Sequence, residues 1–138
     1  MNVTYSAPEQ FTLPLASRSN RLLGQILDGF VGGAPFILAF LVLAMSNALG
    51  IVLLIAAGCW SLFYYFFADG LHNGQSYGKR WLGMQVIDAT TRQPCTFTQS
   101  FVRNLILALL GPIDWVFIFG ERRQRLGDKA AGTIVVED

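Results

Sequence analysis

Asp28 is the residue whose chemistry most needs explaining, because it is a carboxylate set inside a long hydrophobic run. Residues 22–45 are apolar apart from Gln25 and Asp28, and residues 48–68 carry no charge at all. With lipid as the solvent, an aspartate at the centre of such a helix costs about 2.5–3.5 kcal/mol on insertion scales, and less near the interface. Acids at membrane depth tend to face a bundle interior, where they are functional or paired. Two chemistries suit Asp28. It binds a cation or a proton on a transport path, or it fastens the first helix to Arg21, to Arg103 or to a backbone donor. Arg21 stands seven residues earlier on the same side of the helix, a separation of roughly 10 Å. Arg103 lies at the edge of a third apolar stretch.

Two further aspartates belong with these residues. Asp128 sits in Leu126-Gly127-Asp128 and reads as a structural residue, bonding the loop at Gly127 or pairing with Arg103 or Arg125. Asp114 follows a Gly111-Pro112 break. Other signals carry no chemistry. His72 is the only histidine, and neither Cys59 nor Cys95 has a second ligand at metal-binding spacing. Gly74-Gln75-Ser76-Tyr77-Gly78-Lys79-Arg80 has three residues between its glycines and Arg after Lys, whereas a phosphate loop needs four residues and then Ser or Thr. No serine–histidine–acid or cysteine–histidine arrangement is supported. The expectation is a protein that is not an enzyme and has no metal or cofactor.

The elements that must hold these residues are those of a membrane protein. The chain of 138 residues is 53% hydrophobic and only 14% charged, against about 25% charged in globular proteins. A spanning helix needs about 20 mostly apolar residues, and two stretches qualify. Helix 1 is expected over about 20–45, with Gly29 and Gly33 forming a GxxxG pair for close helix packing and Pro35 kinking it. An uncharged turn at 46–50 leads antiparallel into helix 2, over about 48–68. Residues 1–17 read as a flexible tail without the pattern of a secretory signal, so helix 1 is a retained span. The polar segment 69–100 contains a basic–aromatic stretch, Tyr77 to Met84, suited to a membrane surface. It also contains a short strand at Gln85-Val86-Ile87-Asp88, for which Cys95-Thr96-Phe97-Thr98 is a candidate return partner. A third apolar segment, about 101–119 with its apolar core at 105–119, is short for a span and broken at Gly111-Pro112. A loop and a second β-prone run, Thr133 to Val136, fill 120–138. The fold class is thus an all-α membrane protein: an antiparallel transmembrane helix hairpin, a third short and broken segment that re-enters or spans, and a small cytoplasmic β element.

The cations indicate the topology. Arg18 and Arg21 precede helix 1, and Lys79, Arg80, Arg92 and Arg103 follow helix 2, while the turn at 46–50 has none. By the positive-inside rule the N-terminus is cytoplasmic and that turn lies outside. Arg122, Arg123, Arg125 and Lys129 lie beyond the third segment. They stay cytoplasmic if that segment re-enters, and only then can Val86-Ile87 pair with Ile134-Val135-Val136. The basic clusters flank membrane segments, so the expected partners are the lipid bilayer with its anionic headgroups, together with a second copy or another membrane protein, and not nucleic acid.

Several motifs carry a family resemblance. Arg21 and Asp28 lie in the first helix, followed by Gly78-Lys79-Arg80-Trp81-Leu82-Gly83-Met84-Gln85-Val86-Ile87-Asp88, Ser100-Phe101-Val102-Arg103-Asn104-Leu105, and the run from Arg122 to Val136 that contains Arg125-Leu126-Gly127-Asp128-Lys129. Over nearly the whole chain the sequence resembles the RDD family of small multi-pass membrane proteins, named for one arginine and two aspartates. The resemblance implies that the family arginine falls on Arg21, its first aspartate on Asp28 and its second on Asp128 in preference to Asp114. It further implies a place in the inner membrane and a part in moving a small ion or solute, with cation–proton exchange as the sharpest version. The alternative is a membrane scaffold or accessory subunit that docks a partner through its cytoplasmic face. Two helices cannot enclose a path, so transport would require an oligomer or a larger partner.

Overall fold

The computed structural model describes residues 13–137. Two long helices come first, α1 (Arg18–Leu43) and α2 (Asn47–Phe67), and a single 3₁₀ turn, Ala68–Gly70, closes α2. The Ser17 hydroxyl accepts from the Asn20 amide and caps α1. The hairpin between the helices is tight, and a Cβ at Gly50 would fall on the backbone and side chain of Leu43. Both helices are long and apolar enough to cross a membrane, and only 11% and 17% of their most apolar windows are buried within the chain. Leu38, Phe40, Leu41, Ile55 and Leu62 point outward, as lipid-facing side chains must.

α1 continues through Pro35. Proline has no amide hydrogen, so the carbonyl four residues earlier, that of Val31, loses its helical partner. The indole Nε1 of Trp60 donates to that oxygen at 3.3 Å. The Ser61 hydroxyl donates to the neighbouring Gly32 carbonyl at 2.5 Å. α2 therefore supplies the hydrogen bond that the proline removed, which an apolar solvent could not do.

The rest of the chain gathers at one end of this hairpin. α3 (Tyr77–Trp81) leads into β1 (Met84–Asp88). α4 (Phe97–Leu110) and α5 (Pro112–Val116) follow, with a 3₁₀ turn at Phe117–Phe119, and then α6 (Leu126–Ala131) and β2 (Thr133–Glu137). β1 and β2 pair antiparallel, with Val86 opposite Val135 and Ile87 opposite Ile134, as the sequence predicts. Leu15 bridges to Val136 on the far side of β2. Ala16, Met84, Val86, Cys95 and Val135 form the buried cluster of this head.

Three expectations are corrected here. Residues 13–17 are not a loose tail, because Ala16 is fully buried and its amide donates to the Val135 carbonyl; residues 1–12 lie outside the described part. Cys95 to Thr98 is not a return strand. The Cys95 amide bonds Val86, but Thr96 and Gln99 then form a capping box that starts α4 at Phe97. The third segment therefore begins earlier than its apolar core suggests. At Gly111, which has φ +55°, the axis turns by 111° into α5. α4 is amphipathic inside-out: Ser100, Arg103 and Asn104 are buried against the protein, while Phe97, Phe101, Leu109 and Leu110 are exposed.

Candidate functional site

Asp28 leaves α1 toward α2 and α3. Its Oδ1 accepts from the Tyr64 hydroxyl at 2.7 Å and from the Gly78 amide at 2.8 Å. Its Oδ2 accepts from the Ser76 hydroxyl at 2.6 Å and lies 3.5 Å from the Lys79 ammonium. Ser76 also caps α3, so the carboxylate that fastens α1 holds the start of α3 as well. Gly78 allows this approach, since a Cβ there would collide with the Gly24 carbonyl and with Asp28 itself.

From Asp28 the charges continue as one chain. Lys79 Nζ lies 2.5 Å from Asp69 Oδ1, and Asp69 Oδ2 lies 3.6 Å from Arg103. Arg103 reaches Asp128 Oδ1 at 2.9 Å, and Arg21 reaches Asp128 Oδ2 at 2.5 Å. Arg21 also donates to the Arg123 carbonyl. Arg125 donates its amide to Asp128 at 3.1 Å and places Nε 3.6 Å from Asp114. Asp114 in turn accepts from the Gly127 amide at 2.7 Å. Four carboxylates thus face four cations, and their formal charges cancel. Arg103, Asp114 and Asp128 are fully buried. Burial drives the Asp128 carboxyl up, but Arg103, Arg21 and Arg125 together hold it below the usual carboxylate range. Nearby, burial pushes the Cys95 thiol up to about 11.

The expected pairing of Asp128 with Arg103 and Arg125 is present, and Asp28 does take a backbone donor, the Gly78 amide; the other partners differ from those expected. Arg21 and Asp28 do not pair; Arg21 turns to Asp128, and Lys79 serves Asp28. Arg103 binds Asp128 and Asp69, not Asp28. The contact expected between Asp128 and the loop at Gly127 is made by Asp114. Asp69 and Lys79 escaped sequence reasoning, as did the roles of Tyr64 and Ser76. The available signal for Asp69 was its position as the first charge after the uncharged run 48–68.

Beside the Asp28 end, a cleft of about 270 Å³ opens between α1 and α2, bordered by Asp28, Asp69 and Lys79. Gly29, Gly32 and Gly33 line it. A Cβ at Gly29 or at Gly33 would meet nothing within 4 Å. The GxxxG pair therefore does not carry close packing within the chain. Contact is made at Gly32, where a Cβ would lie 3.6 Å from the Tyr64 ring, at Gly24, where it would press on the end of the Met84 side chain, and at Gly50, where it would fall on the Leu43 backbone.

The comparisons with known proteins agree with this architecture. The model of the RDD family matches residues 15–132. An uncharacterized protein of Haemophilus influenzae is 31% identical over 96% of this chain and 85% of its own length. An uncharacterized protein of Rickettsia prowazekii is 29% identical over 62% of this chain, which spans half of that protein. No solved structure matches. With the match covering the hairpin, α3 to α6 and every member of the charge chain, the protein belongs to the RDD family of small membrane proteins.

Proposed function

We propose that this protein is a multi-pass inner-membrane protein, not an enzyme, that takes part in moving a small ion or solute through the cleft between α1 and α2. The observation that carries the reading is the cleft itself. It is a polar-bordered space between two helices long enough to span the membrane, with Asp28 at its edge. Spanning helices keep polar groups only toward an interior or a water-filled cavity. In this reading the β1–β2 pair, α6 and residues 13–17 face the cytoplasm. Support comes from the gathering of the cations at that end. Arg18 lies over the Phe119 ring at 5.3 Å and Lys129 over the Phe117 ring at 5.1 Å, so the turn after α5 has come back to the level where α1 starts. Arg18, Arg122 and Lys129 are exposed there and suit anionic lipid headgroups. One hairpin cannot enclose a path, so the working unit is an oligomer or includes another membrane protein.

Flux into vesicles containing the purified protein tests the proposal. A sodium gradient that shifts internal pH would support the cation–proton version, and accelerated entry of a solute the broader one. Asp28→Asn should reduce either flux, and because it sets a donor against the donors of Ser76, Gly78 or Tyr64 it should also lower the thermal transition of the detergent-solubilised protein. Flux equal to that of empty vesicles would reject transport. It would leave the docking reading, in which crosslinkers placed at Arg80 or Arg122 should capture one specific protein.

A further inference from the structure

The charged groups at the cleft are already paired. A carboxylate has about four acceptor positions, and Asp28 fills its own with Tyr64, Gly78, Ser76 and Lys79. Asp69 gives one oxygen to Lys79 and the other to Arg103. A bare cation entering here would have to strip a donor from one of these acids, or leave Lys79 without its partner. Breaking a buried pair by removing one member leaves an uncompensated charge and is strongly unfavourable.

The groups that remain free are neutral. Among the described residues, the side chains of Gln25 and Tyr65, which line the cleft, make no hydrogen bond. Asn104 also lines the cleft and is only 5% exposed. Its Nδ2 donates to the Ser100 carbonyl at 3.1 Å, while its Oδ1 receives no donor from those residues. That oxygen is open to the cleft and not sealed within the protein, and hydrocarbon would offer it no hydrogen bond. Space argues in the same direction. About 270 Å³ lies just under the range of roughly 300–1,000 Å³ that holds drug-sized ligands, and it far exceeds the volume of a single desolvated ion.

We propose that the cleft binds a small uncharged solute bearing hydroxyl or amide groups, held by Gln25, Tyr65 and Asn104, while the paired charges act only as its frame. This rests on the transport reading above and narrows its substrate class. The two amides each offer a donor and an acceptor, and the tyrosine hydroxyl can serve as either, so recognition needs no net charge on the solute.

The test uses the full chain in vesicles. Stopped-flow light scattering follows entry of glycerol, urea and acetamide, and an internal dye follows pH under a sodium gradient. The expected result is entry of at least one neutral solute several-fold faster than in protein-free vesicles, with internal pH unmoved by sodium. Gln25→Ala and Tyr65→Phe should each slow that entry toward background without changing the thermal transition; Tyr65→Phe, which removes one oxygen, guards against loss of fold. Sodium-driven pH change without solute entry would overturn the inference and leave transport standing. Absence of both fluxes would overturn both. Faster water movement without solute entry, or variants as fast as the parent chain, would also overturn the inference.

Discussion

At the scale of single residues, Asp128 is the point on which the buried charges converge, with Arg21, Arg103 and Arg125 all reaching its carboxylate. Asp128→Ala would leave Arg21 and Arg103 buried without that acceptor. Such a break should cost about 3–5 kcal/mol, visible as a lower thermal transition in detergent. Its depressed carboxyl also sets an acid limit. A carboxyl held down in the folded state contributes stability that is present above its unfolded value of about 3.9 and lost as pH falls through its folded value. The transition temperature should therefore be level from neutral pH down to roughly the ordinary carboxylate range, and fall only below it. A decline already complete between about pH 7 and 5 would contradict the pairing. The aspartate was recognisable in the chain from the motif around it, with Arg103 and Arg125 as candidate partners, but Arg21 was not, because it lies 107 positions from Asp128.

At the scale of elements, the joint between α1 and α3 depends on glycines different from the obvious ones. Gly78→Ala would drive a methyl group into the Gly24 carbonyl and the Asp28 carboxylate. Overpacking of this kind costs about 1–3 kcal/mol, and here it would also loosen Lys79 from its acids. Gly29→Ala meets open space and, within a helix, should be neutral or stabilise by up to about 1 kcal/mol. Comparing the two thermal transitions checks this directly, and equal losses would show that the Gly29 face is packed after all. The GxxxG spacing was plain in the sequence. Which glycine meets a neighbour depends on how α1 is rotated about its axis, and that is settled by Asp28 reaching across to Tyr64 and Ser76. The inside-out character of α4 was hidden for a similar reason. Ser100, Arg103 and Asn104 look like an ordinary polar helix face until the charges that they meet are known.

At the scale of the whole molecule, the sharp turn after α4 and the pairing of β1 with β2 require both strands to lie on one side of the membrane. A cysteine at Glu137→Cys, in a chain whose Cys59 and Cys95 have been replaced by serine, should react with an impermeant thiol reagent only when the cytoplasmic face is accessible. It should behave as a Ser19→Cys label at the start of α1 does. Labelling of the two from opposite faces would mean that α4 and α5 cross the membrane, and the strand pairing could not then exist. The same geometry accounts for the charge distribution: the chain of acids and cations is neutral and largely buried, while Arg18, Arg122 and Lys129 stay exposed.

The sequence by itself determined the solvent, the two long helices and the strand pair, because each depends on composition or on hydrophobic patterning; the turn came earlier than expected, at 44–46, with Asn47 to Gly50 already in α2. Only the tertiary structure decided who pairs with whom. Asp28 with Lys79 and Arg21 with Asp128 join positions far apart in the chain, and Asp114 meets Gly127 across the loop between α5 and α6. Charged side chains interact strongly only over a few ångströms, and helix rotation together with the bend at Gly111 determines which ones come within that reach.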